Sequence, residues 1–194
     1  QMSESSQRNR VDVIVEGYAE DDRATGTVSL VRTSEGRSIL VDAGDPWNGE
    51  ELVEKLRGRG VETDQITDVV ITHGHIDHCG NVGSFRRARF FMDCDWAVGG
   101  RYGQREDPHS LSASVRIEKR TGHTASDLIV VVEQEERGGT IVVAGDLFED
   151  GDDEERWRGN SQYEEEQGRS REYVRQIASW IVPGHGDIFK VEKR

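Results

Sequence analysis

The stretch Thr72-His73-Gly74-His75-Ile76-Asp77-His78-Cys79-Gly80-Asn81 packs three imidazoles and a carboxylate into the six residues 73–78, directly behind the apolar run Asp68-Val69-Val70-Ile71. That run reads as a buried strand, so His73 stands where a strand ends and the chain turns, a place where side chains converge on one point. The chain has only six histidines, and three in one corner is the composition of a metal site. Neutral imidazole and carboxylate suit zinc, iron or manganese, and the lack of thiolate ligands argues against a purely structural zinc knuckle. Cys79 follows the cluster and reads as a small packed thiol, not a nucleophile.

Working outward toward the N-terminus, residues 11–15, 27–32 and 38–41 alternate as three strands in meander order, with residues 17–26 as a polar turn. The third strand stops at Asp42-Ala43-Gly44-Asp45-Pro46-Trp47. Asp42 either caps that loop or orients a metal-binding histidine from behind. Residues 50–59 place Leu52, Val53 and Leu56 on one face of a short helix. Toward the C-terminus, residues 81–87 read as a helical turn and 89–92 as a buried strand. Residues 94–113 look like an irregular loop, broken by Gly99, Gly100, Gly103 and Pro108, of the kind that shapes substrate access. His109, within it, reads as a surface histidine.

Residues 115–120 alternate as a strand that runs into Gly122-His123, with Thr124 next to it as a further candidate for supporting a ligand. Residues 127–132 and 140–144 flank a Gly138-Gly139 hairpin, and the second of these strands ends in Gly145-Asp146. The acidic run 149–155 reads as a solvated loop. A helix is expected over 169–179, with Tyr173, Ile177 and Trp180 inward, and the strand 180–182 ends in Pro183-Gly184-His185. Alternating strands and helices argue for a layered α/β fold. Four strand ends thus present His73 to His78, His123, Asp146 and His185, and one shared metal centre accounts for all four corners together.

The pattern His-x-His-x-Asp-His at 73–78, the Gly-His pairs ending at 123 and 185 and the Gly-Asp ending at 146 resemble the motif set of the metallo-β-lactamase superfamily, in the same order along nearly the whole chain. The resemblance implies a four-layer αββα sandwich with its metals at one edge between two sheets. It puts His73, His75 and His123 on one divalent ion and Asp77, His78 and His185 on the other, with Asp146 bridging. Zinc is the first expectation, with iron or manganese as alternatives. A cysteine stands in place of Asp146 in the commonest β-lactamases, so the resemblance points to the hydrolase branch, using a metal-bound hydroxide on an ester, thioester or phosphodiester. Asp77 is the candidate to accept or orient the proton.

Several longer stretches, among them Val15-Glu16-Gly17-Tyr18-Ala19 and Gly145-Asp146-Leu147-Phe148-Glu149-Asp150-Gly151, resemble one branch of that superfamily whose animal members are associated with RNA cleavage during histone messenger maturation. The substrate expectations are therefore a small-molecule ester or thioester, as for glyoxalase II, or single-stranded RNA. Oxidation at a single iron, as in persulfide dioxygenases of the same fold, is the competing chemistry, and a metal-dependent binding module is the non-enzymatic alternative.

At 194 residues the chain suits one domain over 11–194, behind a polar tail over 1–10 whose Gln1-Met2 looks like a cloning remnant. The formal net charge of −13 repels nucleic acid over most of the surface, although a local basic groove would still accept it. No stretch has the length and apolarity of a membrane span. Two cysteines make no disulfide scaffold, so a reducing cytoplasm is expected.

Overall fold

In the computed structural model, which describes residues 7–192, fifteen strands and three α-helices alternate along the chain. The first half contains β1 (Arg10–Val15), the hairpin of β2 (Tyr18–Glu20) and β3 (Arg23–Thr25), β4 (Val28–Arg32), β5 (Ser38–Val41), α1 (Gly49–Gly58), β6 (Asp68–Val70), the single turn α2 (Ile76–Cys79), β7 (Arg89–Met92), β8 (Asp95–Val98) and β9 (Arg101–Gln104). The second half contains β10 (His109–Ser112), β11 (Val115–Lys119), β12 (Leu128–Val132), β13 (Ile141–Gly145), α3 (Glu164–Ile177), β14 (Trp180–Pro183) and β15 (Phe189–Lys190). They form a seven-stranded sheet in the order β1-β4-β5-β6-β7-β8-β9 and a six-stranded sheet in the order β10-β11-β12-β13-β14-β15.

The two-residue period of a strand sorts its side chains between layers. In β12, Leu128, Val130 and Val132 join the apolar layer between the sheets, while Ile129 and Val131 pack on the outer face with Val174 of α3. In the first sheet, Val41 and Val70 point to the intersheet layer, and Leu40 and Val69 point outward to Leu52 and Leu56 of α1. Strands buried on both faces lose the polar alternation of a surface sheet and read as continuous apolar runs. Helix, sheet, sheet and helix therefore stack as an αββα sandwich, the expected architecture.

The expectations at the edges need correction. Residues 94–113 are not an irregular loop: they carry β8, β9 and β10. Gly99 and Gly100, with φ of 55° and 82°, are the two central residues of a tight hairpin that pairs Val98 with Arg101. Two successive left-handed residues are what such a hairpin turn demands, so the glycines close a ladder instead of breaking one. Residues 17–26 likewise hold the β2–β3 hairpin, and α3 begins at Glu164, five residues before the expected start. Trp180 lies in β14, not on the helix. Of the predicted tail, residues 1–6 lie outside the described residues, whereas Asn9 is buried against Ser114 and Glu133 and Arg10 opens β1.

Candidate metal centre

The C-terminal ends of β6, β13 and β14 and the turn after β11 bring the four motif corners together. His73 follows β6, His75 precedes α2, Asp77 and His78 lie in α2, His123 sits in the turn after β11, and Asp146 and His185 follow β13 and β14. Parallel pairing of β13 with β14 places their two ends side by side. Gly184 is required there, because a Cβ at that position would collide with the Asp146 carboxylate.

Two groups of ligand atoms result. In the first, one atom each from His73, His75, His123 and Asp146 lie within 4.8 Å of one another; in the second, so do atoms of Asp77, His78 and His185. His75 Nδ1 is 3.0 Å from His73 Nε2 and 3.1 Å from His123 Nε2. Asp146 connects the groups: Oδ2 is 3.4 Å from His123 Nε2 and 3.1 Å from His185 Nε2, and Oδ1 is 3.2 Å from His78 Nε2. Asp77 Oδ2 lies 3.5 Å from His78 Nε2 and 3.8 Å from His185 Nε2. His73, His78, His123, Asp146 and His185 are buried, His75 is exposed and Asp77 is half-buried, so the centre is open on the α2 side.

The far side of three rings is fixed by hydrogen bonds. Asp42, at φ 63°, accepts from Thr72 N at 2.7 Å and from Thr72 Oγ1 at 2.8 Å, and its Oδ2 lies 2.8 Å from His78 Nδ1. The Thr72 hydroxyl gives its proton to Asp42, so at 3.0 Å it accepts the Nδ1 proton of His73. His185 Nδ1 donates to the backbone carbonyls of Tyr18 and Thr25, at 3.1 and 3.0 Å. In all three rings Nε2 is left facing the centre, the tautomer a metal ligand needs. Asp42 thus orients histidines, while the cap of its loop is Asp45, whose Oδ1 accepts from Trp47 N and Asn48 N, each at 2.9 Å. Thr124 does not reach a ligand ring: its backbone and hydroxyl bond Asp127, which holds the His123 turn.

Electrostatics divide the groups. Burial, with the neighbouring His78 charge, drives the His73 pKa down to about 2, and burial also lowers that of His123. At His185, burial opposes protonation but the Asp146 carboxylate outweighs it and lifts the pKa to about 9. At His78, burial again opposes protonation, but the same carboxylate, with Asp42, outweighs it and raises the pKa. Asp146 itself is held well below the usual carboxylate range, since His78 and His185 outweigh its burial.

The residues fit divalent cations on one structural ground in particular. Among the described residues, His78 Nε2 and Asp146 Oδ1 are buried without a hydrogen-bond partner, in the midst of converging nitrogen and oxygen atoms. Buried polar atoms are seldom left unpaired, and a cation between them would satisfy both. His109 takes no part: it lies on β10 with its ring 5.0 Å from that of Phe91.

Three groups beside the centre escaped the motifs. The Tyr18 and Thr25 carbonyls carry no side-chain signal at all. Glu149 is buried within 4.8 Å, by its ligand atom, of Asp146 and His185, although it begins the acidic run expected to be solvated. Asp153 of that run is also buried, where it accepts from Glu149 N and Trp157 N and pairs with Arg171.

The sequence profile of the metallo-β-lactamase superfamily matches residues 21–93. Metallo-β-lactamase domain-containing protein 1 from Xenopus laevis is 36% identical over 194 residues, covering 94% of this chain and 82% of its own length. The human protein of that name is 37% identical over 217 residues, covering 93% of this chain and 82% of its own. Among solved structures, a Thermotoga maritima protein described as a metallo-β-lactamase superposes with a TM-score of 0.73 at 19% identity, over 94% of this chain and 99% of that one. B. thuringiensis AiiA, with N-decanoyl-L-homoserine at its active site, superposes with a TM-score of 0.71 at 16% identity, over 93% of each chain. These last two are likenesses of fold. With the curated relatives aligned over nearly its whole described length, the chain belongs to the metallo-β-lactamase superfamily, and within it to the family of metallo-β-lactamase domain-containing protein 1.

Proposed function

We propose that this protein is a hydrolase that works with two divalent metal ions, most simply zinc, and cleaves a small ester or thioester. The observation that carries the reading is the convergence of seven side chains on two groups that share Asp146. His73, His75 and His123 would hold one ion, Asp77, His78 and His185 the other, and Asp146 both. Bound there, two cations lower the pKa of water toward neutrality and stabilise negative charge developing on a carbonyl or phosphoryl oxygen. Asp77, the more open of the two carboxylates in the set, takes up the proton of the attacking water and passes it to the leaving group. Asp42, through His78 and Thr72, keeps both supported rings facing the centre.

Cleavage of single-stranded RNA is the second reading, favoured by the sequence branch. The charge of −13, and a buried Glu149 beside the centre, weigh against a polyanion. Oxidation at one iron fits less well, because both groups of ligand atoms are complete. Two free cysteines, Cys79 and Cys94, suit a reducing compartment such as the cytoplasm. Among the described residues no helix is long and apolar enough to cross a membrane. A panel of thioesters and esters run beside a single-stranded RNA, on wild type and on His75→Ala with Asp146→Asn, tests the proposal. Thioester or ester turnover in the wild type, lost in the double variant, supports it; retained turnover in that variant contradicts it, and cleavage of RNA alone transfers the assignment to the second reading.

A further inference from the structure

The two halves of the centre differ in their donors, and the difference is larger than the motifs imply. The first group offers three imidazoles with the shared Asp146. On the opposite side, where Asp146 and His185 meet, a further carboxylate stands within reach: ligand atoms of Asp146, Glu149 and His185 lie within 4.8 Å of one another. Glu149 is 5% exposed. Its backbone is fastened to the His185 corner, since His185 N donates to Glu149 O at 2.8 Å and Gly184 N donates to Phe148 O at 2.9 Å. Among the described residues its carboxylate accepts one hydrogen bond, from Asn160 Nδ2 to Oε1 at 3.1 Å, which leaves Oε2 without a donor. The buried Asp146 Oδ1 also lacks a hydrogen-bond partner among the described residues. Two neighbouring carboxylates with an imidazole are an arrangement that a cation stabilises and that repels itself without one.

We propose that Glu149 is an additional ligand on the Asp146–His185 side of the centre, giving that side one more carboxylate oxygen for a divalent ion than the motif residues supply. The inference rests on the two-ion reading above. Carboxylate oxygens are donors that Mn²⁺ accepts, so Mn²⁺ serves as a probe of this side, although Zn²⁺ remains the tighter ion at either position.

The test is metal binding, read without turnover. Full-length protein stripped of metal is loaded with Mn²⁺ alone, its metal content is measured, and Mn²⁺ affinity is titrated by the electron paramagnetic resonance of the free ion. Wild type is expected to bind two Mn²⁺, and Glu149→Gln, which keeps an acceptor for Asn160, to lose Mn²⁺ affinity at one of the two positions by about ten- to hundred-fold. Two bound ions in wild type with unchanged Mn²⁺ affinity in Glu149→Gln overturn this inference alone. One bound ion in wild type overturns the two-ion reading and this inference with it. Should the variant not fold, a metal-loaded crystal of the wild type decides: a Glu149 oxygen about 2.2 Å from an ion supports the assignment, and one beyond hydrogen-bond range of any ion overturns it.

Discussion

His78 and His185 face the same carboxylate from opposite sides, yet they are anchored by different parts of the chain. His78 is held by a side chain, Asp42, at the end of β5, and the same residue reaches His73 through Thr72. His185 is held by two main-chain carbonyls on the β2–β3 hairpin, those of Tyr18 and Thr25. A side-chain anchor can be removed by one substitution, whereas a carbonyl anchor survives any substitution that leaves the hairpin in place. The two corners should therefore respond very differently to mutation, although the rings they support do the same work.

The variants that bear on this contrast can be ranked by their expected effect. Asp146→Ala removes the group both corners serve, and the loss of charge stabilisation by metal is worth several kcal/mol, on the order of a thousand-fold or more in kcat/KM. Asp42→Asn comes next. An amide can still accept from Thr72 but no longer offers a carboxylate to His78 Nδ1, so metal affinity should fall about ten- to hundred-fold, read by chelator competition. Thr25→Ala should leave the carbonyl anchor of His185 intact. Its cost is the hydrogen bond from Thr25 Oγ1 to the Asp45 carboxylate, about 1 kcal/mol of stability, with metal affinity changed by less than about threefold. If Thr25→Ala proved as damaging to metal binding as Asp42→Asn, the contrast between the two anchors would be wrong.

Asp12 supplies the control with the smallest expected effect on the centre. Burial alone would raise its pKa, but Arg32 and Arg10 outweigh it and hold the group below its usual value. A depressed carboxylate adds stability above the unfolded-state value of 3.8 and loses it as pH falls through the folded value. Asp12→Asn should cost about 1–2 kcal/mol at neutral pH, discounted for the partly exposed arginines, and leave metal affinity unchanged. The stability gap to wild type should close below pH 4, as followed by urea denaturation at a series of pH values.

The same contrast explains what could be read from the chain. Histidines at 73, 75, 78, 123 and 185 and the carboxylates at 77 and 146 announce themselves, because rare ligand residues recur at strand ends beside glycine. The structure brings all seven together. The αββα layering was legible too, since continuous apolar runs such as Leu128–Val132 have no stable home except between two layers. Main-chain anchors leave no trace in residue identity, so the role of Tyr18 and Thr25 was invisible. Glu149 and Asp153 were hidden by their neighbours: in a run of acids, nothing local distinguishes the two that the Arg171 and Asn160 contacts draw inward. Gly99-Gly100 misled for a related reason, because the residues that break a helix are those that close a hairpin.

The proposed joining of two metal positions into a single centre rests on one carboxylate, Asp146. Its most direct test is the metal content of wild type and of Asp146→Ala after loading with Zn²⁺ and removal of free metal. Two equivalents per chain are expected in the wild type, with the loss of both from tight binding in the variant; one equivalent in the wild type, or two in the variant, would rule out a shared Asp146.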